Sequence, residues 1–316
     1  MNFELQKPEL GALRQGNMGV EGVWQFDSGQ PGRSVLIMAL IHGNELCGAW
    51  ALKALLEANI RPVSGKLTLM FCNLEAFDSF DAANHDASRF VDEDMNRVWS
   101  DARLAHPDSQ EVHRASALLP FAQQADWLLD LHSMHEPGAP LLLTGLLPRN
   151  VALARKLGTP EHIVVDAGHK EGVRLRDYGR FGAADEADTC SLLIECGFHG
   201  DITSPAVALD MATRFLRAAN CVAADAFPLN WLQPLPAQQT ALQVTHAVVA
   251  QSTELRFTQD WQDLQNIPTK GTVVAYDGDI TFATPYDHCT LIMPSLRQLR
   301  AGATVVRLAQ KIPSIQ

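Results

Sequence analysis

The sequence feature that most constrains the fold is an abrupt change from an apolar run to a polar tetrapeptide and then to a helical pattern. Residues 34–41, Ser-Val-Leu-Ile-Met-Ala-Leu-Ile, are almost continuously apolar and rich in branched side chains, which indicates a strand buried on both faces. The run ends in His-Gly-Asn-Glu at 42–45, and the Ala- and Leu-rich segment 46–56 predicts a helix. This order predicts a polar site at the carboxyl end of a buried strand, where open α/β sheets bind ligands.

Apolar runs and helical patterns alternate along the next 180 residues. The alternation predicts an α/β fold with a mostly parallel central sheet flanked by helices. Two long polar passages, 74–107 and 168–188, interrupt it, and the first is longer than a structureless loop in a compact domain usually is, which favours a functional role. The further strands are predicted at 65–73, 126–132, 141–147, 162–165 and 190–195, and the further helices at 109–124, 149–157 and 205–227.

The pattern changes after the last of these helices. Pro228, Pro234 and Pro236 indicate a linker, and the residues beyond it form short strand-like runs separated by Gly, Pro and Asp turns. The length of 316 residues exceeds that of the usual single domain. We therefore predict an α/β domain at 1–234 and a smaller C-terminal β domain at 235–316.

Composition excludes several classes of function. The net charge of −11 argues against nucleic acid and anionic membrane surfaces as partners, and no apolar stretch reaches the length of a membrane span. The six cysteines are scattered without a Cys-x-x-Cys pair, which indicates reduced, structural thiols. The first residues lack the pattern of a signal peptide, so we expect a cytoplasmic protein.

Three side chains are candidates for a metal site. His42 and Glu45 follow the first buried strand, and His132 ends another, in Asp130-Leu-His. Two His and one Glu are a ligand set of catalytic zinc, which keeps a fourth position for water, and Asp130 is a candidate to orient an imidazole. Two alternatives stay open: a first-turn Glu that complements the helix dipole, and a strand-end His bonded to local backbone.

Further candidates lie at a strand end and in the first long polar passage. Glu195 ends the strand at 190–195, on the rim expected for the two His residues, and could transfer a proton during amide cleavage. Arg89, Asn96 and Arg97 offer donors that suit a carboxylate. Surface salt bridges for Glu195 and solvated loop charges for the others are the open alternatives. His135 is more simply explained as a surface or structural residue.

The order of these motifs resembles that of the aspartoacylase/succinylglutamate desuccinylase family, whose members are relatives of the zinc carboxypeptidases. The shared elements are His-Gly-Asn-Glu at 42–45, Arg-(six residues)-Asn-Arg at 89–97, Asp-Leu-His at 130–132 and Ile-Glu-x-Gly at 194–197. Residues 283–294 also resemble the C-terminal β domain of bacterial members.

The resemblance implies a zinc-carboxypeptidase-like fold and a zinc-dependent deacylase. It implies one Zn²⁺ per chain bound by His42, Glu45 and His132, with Glu195 as the catalytic glutamate. The implied reaction hydrolyses the amide of an N-acyl amino acid to a carboxylic acid and a free amino acid. The N-acyl amino acid is thus the expected small-molecule partner, and assembly into a homo-oligomer stays open.

The resemblance also implies substrate contacts, with one departure. Arg97 matches the arginine that polarises the scissile carbonyl, and Arg89 and Asn96 match residues that contact the substrate carboxylate. Aspartoacylase has a second substrate arginine ten residues before the catalytic glutamate, where this chain has Asp185. That acidic loop could instead accept a substrate amino group.

Two further substrate contacts are each chosen from several candidates. Arg180 is the candidate for the second arginine, among the upstream side chains of 174–180, and Tyr286 is preferred over Tyr276 as a tyrosine from the C-terminal domain. A metallocarboxypeptidase acting on short peptides and a non-catalytic binding module on the same fold are the alternative functions. No His-Glu-x-x-His or Gly-x-Ser-x-Gly motif supports another hydrolase.

Overall fold

The computed structural model describes residues 3–168 and 171–312, so positions 169 and 170 of the predicted loop and 313–316 of the predicted C-terminal domain lie outside the described residues. The described chain has fourteen strands and six α-helices. The strands are β1 (Val23–Asp27), β2 (Ser34–Ala39), β3 (Lys66–Phe71), β4 (Trp127–Met134), β5 (Leu141–Leu143), β6 (His162–Val165), β7 (Cys190–Phe198), β8 (Thr240–Val249), β9 (Arg256–Phe257), β10 (Asn266–Ile267), β11 (Val273–Asp277), β12 (Ile280–Ala283), β13 (Cys289–Ile292) and β14 (Thr304–Lys311). The helices are α1 (Leu46–Glu57), α2 (Leu74–Asp78), α3 (Asp101–Leu104), α4 (Gln110–Gln123), α5 (Pro148–Leu157) and α6 (Ser204–Ala219).

The predicted elements are present, with differences at their ends. β2 stops at Ala39 rather than at residue 41, because Leu40 has a φ of +62° and leaves the extended conformation. The first long polar passage contains α2, α3 and short 3₁₀ turns instead of an open loop. β4 continues past His132 to Met134, so this histidine lies inside the strand and not at its end.

Eleven of the strands form one mixed sheet, in the order β1-β3-β2-β4-β7-β5-β6-β8-β14-β13-β10. Within the described residues, five of its ten pairings are parallel and five are antiparallel. The α/β class is therefore confirmed, but a mostly parallel sheet is not. The C-terminal strands β8, β14 and β13 pair antiparallel, and so does β5 against β7.

The centre of the sheet is buried on both faces, as the apolar runs predict. Val35 and Ile37 of β2 pack in the same apolar cluster as α1 and α6, whereas Leu36 and Met38 pack in the cluster that includes α4. Because successive side chains of a strand point to opposite faces, helices on both sides are needed to cover them. None of the helices in the described ranges is long and apolar enough to cross a membrane.

The C-terminal β region continues the main sheet. β8 pairs in parallel with β6, with His162 opposite Thr240, and antiparallel with β14. A second, three-stranded sheet of β12, β11 and β9 packs beside it. Backbone hydrogen bonds between β6 and β8 therefore cross the domain boundary predicted near residue 235.

Candidate active site

The three predicted metal ligands come together at the carboxyl ends of two neighbouring parallel strands. His42 lies in the turn after β2, Glu45 directly precedes α1, and His132 lies within β4. β2 and β4 are paired in parallel, with Ala39 opposite Leu131. One donor atom from each of the three side chains lies within 4.8 Å of the others, and all three residues are buried. Such a set can hold one divalent cation.

Both imidazoles turn the same ring nitrogen toward the carboxylate of Glu45. His42 Nδ1 lies 2.7 Å from Glu45 Oε1, and His132 Nδ1 lies 2.7 Å from Glu45 Oε2. The backbone N–H of Ser133 also donates to Oε2 at 3.3 Å. The donor atoms of the three side chains therefore face a common point.

The outer nitrogen of each imidazole faces a second carboxylate. His42 Nε2 lies 2.9 Å from Asp94 Oδ1, and His132 Nε2 lies 2.8 Å from Asp130 Oδ2. Carboxylates in this position commonly fix the tautomer and orientation of metal-binding imidazoles. The cluster thus gathers three largely buried carboxylates around two imidazoles. Because buried charge must be compensated, this donor set fits a bound divalent cation.

The cluster shifts the pKa of its own members. Burial alone would raise the pKa of Glu45, but the charges of His132 and His42 outweigh it and hold that pKa well below its usual range. Burial opposes protonation of His132, yet Asp130 and Glu45 raise its pKa well above the ordinary value. The carboxylates therefore create a strong local preference for positive charge.

Gly43 allows the first two ligands to approach the rest of the site. A Cβ at this position would lie 2.3 Å from the backbone carbon of Ala76 and 2.5 Å from the carbonyl oxygen of Ser88. The Gly43 N–H donates to the carbonyl of Arg89 at 3.0 Å. Only a glycine permits this contact, so the turn at 42–45 packs directly against the segment that supplies the site's arginines.

Segment 89–97 places two guanidinium groups beside the cluster. Arg89 Nη1 lies 3.5 Å from Glu45 Oε1, and its Nη2 lies 3.2 Å from Asp94 Oδ2. Arg97 Nη2 is 3.8 Å from Asp94, and its Nη1 donates to the carbonyl of Asn96 at 2.8 Å. Burial lowers the pKa of Arg97 to about 10, which leaves it charged at neutral pH.

One buried carboxylate holds the middle of this segment. Glu111 of α4 accepts the backbone N–H groups of Val91, Asp92 and Glu93 at 2.7, 3.0 and 3.2 Å. The side-chain amide of Asn73 also donates to it at 2.9 Å. The conformation of the loop is therefore determined by a helix that packs on the sheet.

Glu195 stands beside the ligand cluster. It lies in β7 opposite His132 of β4 and lines the same cavity. Its Oε2 is buried and has no hydrogen-bond partner among the described residues. Burial is the main cause that raises the pKa of this carboxyl group to about 8. A carboxyl group in such surroundings can take up and release a proton near neutral pH.

The opposite side of the cavity is formed by the C-terminal strands and by Arg174. Arg307 of β14 has its Nε 3.3 Å from Asp166 Oδ2, and Arg174 Nη1 lies 3.7 Å from the same oxygen. Arg174 Nε donates to Asp177 at 2.6 Å, but within the described chain its two terminal nitrogens make no hydrogen bond. This wall therefore places two buried guanidinium groups around the carboxylate of Asp166.

Two predicted substrate contacts lie elsewhere and are corrected. Arg180 is half-exposed, 3.6 Å from Asp126 at the amino end of β4 and 3.3 Å from Glu186, and is not among the side chains that line the cavity. Glu186 belongs to the acidic loop, so this loop does not face the cavity either. The Tyr286 hydroxyl bonds Thr245 at 2.7 Å and is likewise outside the cavity lining.

Three residues of the site have weak or misleading sequence signals. Asp94 is a close neighbour of Arg97 in the sequence, but nothing in its spacing shows that it faces His42. Arg174 is one of three arginines at 174–180, and only the structure shows that it is the one that lines the cavity. His135 lines the cavity rather than the surface, and its position three residues after His132 was the available signal.

The sequence of this chain is similar to those of known proteins. Residues 31–172 match the family described as Succinylglutamate desuccinylase/Aspartoacylase catalytic domain. The chain is 29% identical over 306 residues to the Succinylglutamate desuccinylase of Paraburkholderia xenovorans, covering 88% of this chain and 82% of the relative.

Solved structures share the architecture over almost the whole chain. The Succinylglutamate desuccinylase of Vibrio cholerae aligns with a TM-score of 0.69 at 16% identity, covering 92% of this chain and 86% of that one. The Ectoine utilization protein EutE (DoeB) of Ruegeria pomeroyi aligns with a TM-score of 0.62 at 17% identity, covering 89% and 87%. At these identities the likeness establishes the fold alone.

Proposed function

This chain belongs to the succinylglutamate desuccinylase/aspartoacylase family, and on that premise we propose that it is a zinc-dependent deacylase that hydrolyses the amide bond of an N-acyl amino acid. The observation that carries the proposal is the meeting of His42, Glu45 and His132 beside Glu195 in one cavity. A zinc ion held by the three ligands would polarise the acyl carbonyl and lower the pKa of a bound water.

Glu195 supplies the proton transfer. Its carboxylate accepts a proton from the attacking water as the water oxygen bonds to the carbonyl carbon. The same group then delivers that proton to the nitrogen as the C–N bond breaks, which yields a carboxylic acid and a free amine. Burial favours the protonated form of Glu195, and the positive charge of a bound cation would favour the carboxylate that acts as base.

The distances favour an exchange of the roles predicted for the two arginines of segment 89–97. Arg89 is the one whose Nη1 lies 3.5 Å from the ligand Glu45, so we propose that it donates to the carbonyl oxygen as negative charge develops there. Arg97 and Asn96 line the same cavity, and the ion pair of Arg97 is with Asp94 and not with Glu45. They are proposed to bind the carboxylate of the amino-acid part.

The opposite wall suits an acyl group with its own carboxylate. Arg174 lines the cavity, and its two terminal nitrogens make no hydrogen bond in the described chain, although Nη1 lies 3.7 Å from Asp166 Oδ2. Leaving buried donors unpaired is costly, so an anionic ligand group there would be stabilising. We propose a dicarboxylic acyl group, such as succinyl, and Arg174 takes the place first assigned to Arg180.

Metal analysis combined with a substrate screen tests this function. We expect stoichiometric zinc in the purified protein, loss of activity on chelation, and hydrolysis of N-succinyl or N-acetyl amino acids. Glu195→Gln should retain the metal and lose at least about 100-fold in turnover. Hydrolysis of short peptides with a free carboxy-terminus, but of no N-acyl amino acid, would instead support a metallocarboxypeptidase. A fully active Glu195→Gln enzyme would contradict the proposed proton transfer.

A further inference from the structure

Four side chains connect the cavity with the C-terminal β region. Arg89 Nη1 donates to His135 Nε2 at 3.2 Å, and His135 Nδ1 donates to Asp86 Oδ1 at 3.1 Å. Asp86 Oδ2 accepts from Arg297 Nη1 at 3.3 Å. Arg297 follows β13 in the C-terminal region. We call Arg89, His135, Asp86 and Arg297 the anchoring chain.

The partners of His135 define where its proton lies. A guanidinium group can only donate, so the Nε2 that faces Arg89 must accept, and the ring is neutral with its hydrogen on Nδ1. The contacts of His199 are consistent with a hydrogen on Nδ1 of His135. Its Nε2 lies 3.3 Å from His135 Nδ1, and its Nδ1 lies 2.8 Å from Ser133 Oγ. Burial also lowers the pKa of His135, which favours the neutral ring.

The far end of the chain is held by a second carboxylate. Arg297 Nε donates to Glu136 Oε1 at 2.8 Å, and Ser295 Oγ donates to the same oxygen at 3.3 Å. Glu136 directly follows His135, so one C-terminal arginine is bonded both to Asp86 and to the neighbour of His135. The C-terminal region therefore constrains the position of this imidazole from two directions.

The contact matters because Arg89 has a long side chain and close neighbours that compete for it. Its Nη1 lies 3.5 Å from Glu45 and its Nη2 lies 3.2 Å from Asp94. Ion pairs alone would draw the guanidinium toward these carboxylates. His135 Nε2 is a neutral acceptor for the same Nη1 that faces Glu45, so it directs a hydrogen of that nitrogen without adding charge and holds the group in one orientation. Small displacements of such groups have large effects on rate.

We propose that His135 is a positioning residue for Arg89, and that the C-terminal region acts on the reaction centre through Asp86 and Arg297. The proposal rests on the proposed deacylase function. His135 takes no part in the chemistry itself. It determines where the Arg89 guanidinium lies relative to the carbonyl oxygen of the substrate.

The test compares two replacements of His135 in the zinc-loaded full chain. His135→Leu removes the acceptor for Arg89, and we expect kcat to fall about 10- to 100-fold, with KM changed less than about 3-fold. His135→Gln offers a carbonyl oxygen to Arg89 and an N–H to Asp86, and we expect it to restore kcat to within about 5-fold of the wild type. Zinc content should be the same in all three proteins.

His85 provides the matched control. Its Nδ1 lies 3.3 Å from Asp86, but it is not a hydrogen-bond partner of Arg89 in the described chain. His85→Leu should leave kcat within about 2-fold of the wild type. Arg297→Gln should lower kcat by a smaller factor than His135→Leu. The double variant of Arg297 and His135 should lose little more than His135→Leu alone, because both changes act through one chain.

Three results would overturn the positioning role: wild-type kcat in His135→Leu, equal losses in the Leu and Gln variants, or additive losses in the double variant. Failure of the deacylase proposal gives a different result, namely zinc-loaded wild-type protein without activity on any N-acyl amino acid. In that case crystal structures of the wild type and His135→Leu decide. An Arg89 guanidinium that has not moved between them overturns the positioning role.

Discussion

At the scale of single residues, Glu195 combines a buried carboxyl group with a neighbouring cluster of charged ligands. Its Oε2 lacks a hydrogen-bond partner in the described chain, and burial raises its pKa to about 8. A group that is protonated in the folded state and ionised in the unfolded state links folding to pH. The ionisation of Glu195 should therefore affect how the free energy of unfolding of the metal-free protein depends on pH, independently of any activity.

We expect Glu195→Gln to stabilise the metal-free protein increasingly between about pH 4.5 and pH 8. The carboxyl group of Glu195 has a pKa of about 8 in the native protein, against 4.5 in the unfolded chain. Its contribution to stability is therefore fully present below pH 4.5 and is lost as the pH rises through about 8. Thermal unfolding in the presence of a chelator, compared for both proteins across this range, measures the effect. A difference that does not change with pH would show that Glu195 ionises normally.

The residues of the site could be predicted where a motif lies at or near the carboxyl end of a buried strand, but not where a loop folds back onto the site. His42, Glu45, His132 and Glu195 follow or lie in apolar runs, and parallel pairing brings the ends of such runs to one edge. The contact between Asp94 and His42 depends on how the long polar passage folds. Local sequence patterns do not specify that fold. The prediction for Arg180 was wrong because its distance from Glu195 along the sequence does not show at which end of the strands Arg180 lies.

At the scale of elements, the unit formed by β2, the turn at 42–45 and α1 is packed unusually closely. A Cβ added to Gly48 of α1 would lie 2.7 Å from the Cβ of Ala39 in β2 and 2.9 Å from the Cβ of Leu131 in β4. α1 therefore packs on β2 and β4, the two strands nearest the proposed metal ligands, with no space for a methyl group. The position of Glu45 just before α1 depends on this contact.

Gly48→Ala sets helix propensity against packing. Propensity alone would stabilise the protein by about 1 kcal/mol, whereas overpacking costs about 1–3 kcal/mol. Because both neighbouring atoms are Cβ atoms fixed to the backbone, we expect a net loss of about 1–2 kcal/mol in the free energy of unfolding. Urea denaturation measures it, with Lys53→Ala on the same helix as the control. Greater stability of Gly48→Ala would mean that the helix can move away from the sheet.

The existence and order of the elements followed from the sequence, whereas their pairing directions did not. The apolar runs at 34–41, 65–73, 126–132 and 190–195 all correspond to central strands. β5 has only three residues and lies antiparallel to β7, which no periodic pattern in so short a run can reveal. The mixed sheet thus reflects tertiary pairing and not the local preference of any strand.

At the scale of the whole molecule, one sheet extends from the α/β part into the C-terminal β region. β6 and β8 are paired through four residues each, from His162 opposite Thr240 to Val165 opposite Gln243. Ile163 and Val164 of β6 are fully buried in this arrangement. The composition change near residue 235 predicts a boundary between two domains. It could not show that the strands on either side are hydrogen-bonded to each other.

A fragment of residues 1–234 should not behave as an independent domain. Without β8, the edge of β6 exposes unpaired backbone groups beside apolar side chains, a combination that promotes association. We expect this fragment to aggregate or form large oligomers, while the full chain unfolds in one transition. Size-exclusion chromatography with light scattering, together with thermal unfolding, measures both. A monomeric 1–234 fragment with a cooperative transition would support two autonomous domains.

The cavity has walls from distant parts of the chain, since segment 89–97 forms one side and β14 with Arg174 forms the other. A ligand with an anionic group at each end would therefore be bound by two segments of the chain that can change independently in sequence. Under the proposed deacylase function, divergence of one wall would alter the preferred amino acid, and divergence of the other would alter the preferred acyl group. Substrate preference could then change while His42, Glu45 and His132 stay the same.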